Sequence, residues 1–161
     1  MTWKIINRMI EYFGQDAKRI NHALKVYGFA KAISGRETLS YEQRLCLEIA
    51  AVLHDIGIKE AERKYSSASG KYQELEGPPI AAEILKSEEI DEKIADRVCY
   101  LVGNHHSYGK IDGLDFQILV EADFLVNIHE DALDVQAVGS IKSKYFMTAG
   151  GREIIKSLYN A

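Results

Sequence analysis

The sequence predicts an all-α protein, a bundle of about six to eight helices, and three observations carry that prediction. Apolar residues recur at spacings of three and four, which puts them on one face of a helix. Capping residues and glycines bracket these segments. No segment sustains the apolar–polar alternation of a half-buried strand. The chain has 161 residues, which suits one domain spanning 1–161 with a single core.

The first helix is expected over 2–13, where Trp3, Ile6, Met9, Ile10 and Phe13 share a face and Gly14 closes it. Asp16 can cap a second over 17–33, with Ile20, Leu24, Tyr27 and Ala30 along one side and Ser34-Gly35 at its end. Ser40 opens a third, with Glu42 and Gln43 in its first turn, where they favour the N-terminal dipole. It continues through Leu45, Ile49, Val52 and Leu53 to His54-Asp55, and Gly57 is its stop.

Residues 65–71, small and polar, read as a loop. Proline is tolerated in a first helical turn, so Pro78-Pro79 marks the start of a helix to about Lys86. Asp91 caps another that passes Val98 and Val102 and ends at Gly103. A loop over 104–114 follows, then a helix over 115–129 with Ile118, Leu119, Ala122, Leu125 and Val126 on its apolar side. One or two further helices are expected, broken at Gly150-Gly151.

The net charge is −4, from 24 acidic and 20 basic residues. Phosphate backbones are held by clustered Lys and Arg, so a nucleic-acid polymer is not an expected partner. No apolar run approaches the ~18 residues of a membrane span, and Arg8 and Glu11 interrupt any leader-like stretch, so the expected location is cytoplasmic. Cys46 and Cys99 lie apart in apolar helical patterns and read as core thiols, without the close spacing of a zinc knuckle or redox pair.

The chemistry concentrates on few residues. His54-Asp55 ends the apolar run Ile49-Ala-Ala-Val-Leu, at the negative end of a helix dipole. A carboxylate buried there must be paired with a cation, either a Lys or Arg or a metal ion. His22 lies mid-helix in Arg-Ile-Asn-His-Ala-Leu. Asp123 lies within the apolar Leu-Val-Glu-Ala-Asp-Phe-Leu-Val, although Asp is poor in helix interiors. Each alone has an ordinary structural reading. Together, two imidazoles and two carboxylates suit a divalent ion of Fe, Mn, Ni, Co or Zn.

In order and local context, His22, His54-Asp55 and Asp123 resemble the HD superfamily of metal-dependent phosphohydrolases over roughly residues 18–130. The resemblance implies that His22, His54, Asp55 and Asp123 ligate metal. Binuclear members carry an extra His and then a His-His pair. Here His105-His106 matches the pair, and Glu76 stands where the extra His is expected, so Glu76, His105 and His106 would hold a second ion. Lys59 matches a lysine that resembles a phosphate contact, which with Asp55 makes the implied catalytic pair. Ile58 stands where the 5′-nucleotidase type carries a Glu, and Ile-Lys stands where alarmone hydrolases carry Glu-Asp.

The implied function is hydrolysis of a nucleotide or other small phosphoester by metal-activated water. A binuclear-iron oxygenase and a non-enzymatic nucleotide-binding module are the alternatives, and a homodimer is compatible with all three. Arg63, Lys64 and Lys71 flank the 65–71 loop, where solvated charge is the expected role over phosphate contact. Tyr65, Tyr72 and Tyr108 are candidates for stacking a base, and His129 is expected at the surface.

Overall fold

The computed structural model describes residues 1–161, which form nine α-helices and one 3₁₀ turn, Tyr108–Lys110. The helices are α1 Thr2–Phe13, α2 Ala17–Ser34, α3 Tyr41–Leu53, α4 Ile58–Tyr65, α5 Gly70–Ser87, α6 Glu92–Val102, α7 Leu114–Glu130, α8 Val135–Tyr145 and α9 Ala149–Tyr159. The caps follow the sequence signals. The Asp16 side chain accepts from Arg19 N, and Ser40 and Gln43 form a reciprocal capping box. Asp91 accepts from Lys93 N and Ile94 N.

α3 and α7 form the centre. α3 packs against α1, α2, α6 and α7, and α7 also lies along α2. Leu47 and the run Ile49–Leu53 are buried, as are most residues of α7 from Asp115 to Ile128. A helix buried on nearly all sides needs partners for its polar groups. Glu121 finds them at the start of α9, where its carboxylate accepts from Met147 N, Thr148 N and the Thr148 hydroxyl. One contiguous core of 34 buried residues runs through the molecule. No helix is long and apolar enough to cross a membrane. Cys46 is buried and Cys99 half-buried, both free thiols.

On α1 the buried face is Ile5, Met9 and Phe13, with Trp3 and Ile10 exposed, and three expectations about helix number and bounds also differ. The helix count is nine rather than six to eight. One cause is α4: Gly57 holds a right-handed helical conformation, so the backbone turns into a new helix after the expected stop. The fifth helix begins at Gly70, not at Pro78-Pro79, and both prolines lie inside it. Neither proline can donate to the carbonyl four residues back, and helix propensity alone disfavours this placement. Tertiary contacts override it: Glu74 accepts from His106 N and the Ser107 hydroxyl. Gly150-Gly151 sits in the first turn of α9 and does not break a helix. A Cβ at Gly151 would overlap the Glu121 carboxylate.

Candidate metal centre

Two helix ends present histidines in the same way. His54 is the C-cap of α3, and its Nδ1 donates to Ala51 O at 2.9 Å. His105 follows the end of α6, and its Nδ1 donates to Val102 O at 2.8 Å. Each satisfies a carbonyl that a helix C-terminus leaves free. Each thereby fixes its tautomer and turns Nε2 outward as a lone-pair donor. His22, on α2, does the same through a carboxylate: its Nδ1 lies 2.9 Å from Glu130 Oε2. A ligating imidazole characteristically binds its second nitrogen in this manner.

The three Nε2 atoms converge with two carboxylates. His22 Nε2 lies 3.2 Å from Asp123 Oδ1 and 3.4 Å from Asp55 Oδ2, and 3.2 Å from His54 Nε2. His54 Nε2 lies 3.5 Å from both Asp55 Oδ2 and Asp123 Oδ1. The other oxygen of Asp55, Oδ1, lies 3.3 Å from His105 Nε2. Two donor groups result: His22, His54 and Asp123 form one, and Asp55, His105 and His106 the other. Asp55 faces both.

Two observations test whether these residues fit a metal. Donors about 2.1 Å from a common ion stand about 3.0–3.4 Å apart in tetrahedral or octahedral geometry. The spacings above fall in or just beyond that window. The second is His105 Nε2, which is buried and has no hydrogen-bond partner. A native interior rarely leaves such an atom unpaired unless something else uses it.

The electrostatics agree. Burial opposes the charge on Asp55, but His54 and His105 outweigh it and hold the carboxyl below its usual range. Burial likewise opposes Asp123, and His22 and His54 prevail. His54 is pushed up to about 9, because Asp55 and Asp123 overcome the burial that would lower it. His106 is held down to about 4 by burial and by neighbouring His105, so it is a neutral donor. A divalent cation at this point supplies the charge compensation that protons otherwise provide.

The remaining candidates go elsewhere. Glu76 is not in either donor group: Lys64 Nζ at 2.7 Å and the Tyr65 hydroxyl at 2.8 Å hold its carboxylate. Lys59 Nζ donates to Tyr12 O at 3.0 Å and lies over the Tyr12 ring, against α1. Arg63 pairs with Glu60 on its own helix, and Lys71 lies over the Tyr72 ring. Tyr65 stacks on Tyr72, and Tyr108 packs on Phe124 and Tyr145. His129 is exposed, as expected.

His22, Asp55, His106 and Asp123 open into a cleft of about 500 Å³ with no Phe, Tyr or Trp in its wall. Lys18 and Arg19 are its cations, and Arg19 is itself paired with Asp16 and Glu62. Several residues here escaped sequence reading. Glu130 backs His22, Asn127 donates to Asp123 Oδ1 at 3.0 Å, and Gln73 meets His106. Asp123, Asn127 and Glu130 follow one helical stripe at spacings of four and three, a signal that could have found two of them.

A search of the curated proteins gives no match. Among solved structures, the chain is similar to a predicted HD superfamily hydrolase from an uncultured Thermotogales bacterium. The two are 25% identical with a TM-score of 0.68, over 97% of this chain and 83% of that one. The HD domain family model matches residues 19–137. That span takes in every donor from His22 to Asp123, and on its extent the chain belongs to the HD domain family.

Proposed function

We propose that this chain is a divalent-metal-dependent phosphohydrolase acting on a small, polar phosphoester. The observation that carries the reading is Asp55, whose two oxygens face two separate donor groups at the floor of an open polar cleft. A bound divalent ion supplies positive charge to phosphoryl oxygens and acidifies water near neutral pH. The chain's own residues do the rest. His22, His54 and Asp123 fix one donor group, and Asn127 holds the Asp123 carboxylate in place. Asp55 ties the two groups together, so its orientation sets the register of the reacting centre.

Lys18, exposed on the cleft wall and in no ion pair, supplies the positive charge for the transferred phosphoryl group, whereas Arg19 is held by Asp16 and Glu62. Lys59 is a poor candidate for that role, since it is turned to α1. Glu62, Glu130 and Asp131 make the wall acidic and disfavour polyanionic substrates that bring no counter-ion. No Phe, Tyr or Trp lines the cleft, which favours a compact phosphoester over recognition of a nucleobase by stacking on a large ring.

The test pairs metal analysis with a hydrolysis screen of phosphomonoesters, phosphodiesters and nucleotides. Asp55→Ala is expected to lose bound metal and to lower turnover by about 10³-fold, as loss of charge-stabilising groups does. An Asp55→Ala protein with wild-type metal content and turnover overturns the proposal.

A further inference from the structure

We infer that Gln73 is a donor to the second ion, its amide oxygen completing the set formed by Asp55, His105 and His106, and that this neutral donor leaves the second ion the weaker of the two. The inference rests on the metal reading above.

Gln73 is 7% exposed, on the inward face of α5. Its Nε2 donates to Ala68 O at 2.7 Å, which fixes the amide and turns Oε1 towards His106. Oε1 accepts from His106 Nε2 at 3.2 Å, a hydrogen bond that an ion shared by the two atoms would replace. This distance equals the spacing between His22 Nε2 and His54 Nε2 in the first group, where two imidazoles point at one centre. One turn earlier, a Cβ at Gly70 would stand 2.8 Å from Cγ and Cδ2 of His106, so only glycine lets the ring take this position. On the far side, His105 Nε2 is buried without a hydrogen-bond partner, 3.3 Å from Asp55 Oδ1. An oxygen, two imidazoles and a carboxylate make an ordinary ligand set for a first-row divalent ion.

Charge sets the order of affinity. The first group has Asp123 to itself and shares Asp55. The second has only the shared Asp55, because His105, His106 and Gln73 are neutral donors. Glu76, one turn further along α5, gives nothing while Lys64 and Tyr65 hold it. Fewer carboxylates per ion mean weaker binding of a hard divalent cation.

The experiment titrates metal-free protein with Mn²⁺, followed by electron paramagnetic resonance, and with Co²⁺, followed by visible absorption. It uses wild type, Gln73→Leu and Gln73→Glu, with melting curves to show that each variant is folded. Wild type is expected to take one ion tightly and a second at least about tenfold more weakly. Gln73→Leu should keep the tight ion and lose the weak one. Gln73→Glu adds a charged oxygen at the same reach, so it should tighten the second ion about tenfold or more and shift its Co²⁺ band. If Gln73→Leu holds both ions at wild-type affinity, or Gln73→Glu leaves the second ion's affinity and band unchanged, the inference fails while the first site stands. If wild type takes up no ion, the metal reading itself falls and the inference with it.

Discussion

Glu130 stands behind His22 and fixes which imidazole nitrogen faces the cleft. Burial opposes its charge, yet His22 and Lys25 hold its carboxyl below the usual range, so it accepts from both at neutral pH. A carboxylate in this position raises the basicity of the ligating nitrogen. Glu130→Gln keeps an acceptor and removes the charge. It should weaken metal binding about tenfold with the fold unchanged, read by competition against a chromophoric chelator. Glu130→Leu should weaken it further, and wild-type affinity in both variants would show that His22 needs no such support. At this scale, the residues that stood out in the sequence are those whose chemistry clashes with their surroundings. A histidine and aspartate ending an apolar helix, and an aspartate inside one, demand an explanation. Glu130 sits at an ordinary helix end and Gln73 in a polar stretch, so neither carries such a signal.

α5 is the element on which sequence and structure part most, and it also positions the site. Its prolines suggest a start, because proline lacks the donor that a helix interior uses. The structure places them mid-helix, next to a crossing too close for side chains. A Cβ at Gly77 would stand 2.7 Å from Val102 Cγ1, and one at Gly57 would stand 2.5 Å from Gly77 N. Gly57 lies two residues past Asp55, and Val102 three before His105, so this crossing sets the spacing between the two helix ends that present His54 and His105. Gly77→Ala should therefore do two things. Forcing the Val102 side chain aside should destabilise the protein by about 1–3 kcal/mol, read by urea unfolding. It should also weaken the second ion more than the first, since the turn after α6 carries only the second group's histidines. Equal stability and equal metal binding would mean that the crossing relaxes freely. The same lesson covers α4, where Lys, Glu and Arg outnumber the apolar residues and only Ala61 is buried. Eight residues with one buried position leave too little periodicity to read, whereas α2, α3 and α6 announce themselves by cap and stripe.

Across the whole molecule, the donors come from α2, the end of α3, the turn after α6, and α7, so bound metal ties together elements far apart in sequence. The 34-residue core is contiguous and owes nothing to those donors, which is why composition and periodicity sufficed for the fold class. Metal should thus add to the stability of a protein already folded, unlike a small domain that folds only around its ion. A ligand bound only by the native state at a hundred times its dissociation constant contributes about 2.7 kcal/mol. For a domain of about 150–250 residues, each kcal/mol moves the melting temperature by about 2–4 °C. Chelation should therefore lower the Tm by about 5–11 °C without abolishing the cooperative transition, and re-addition of Mn²⁺ should restore it. Loss of the transition on chelation would make the ion part of the core. An unchanged Tm in the same excess of metal would mean that the converging histidines and aspartates bind no ion in the native state.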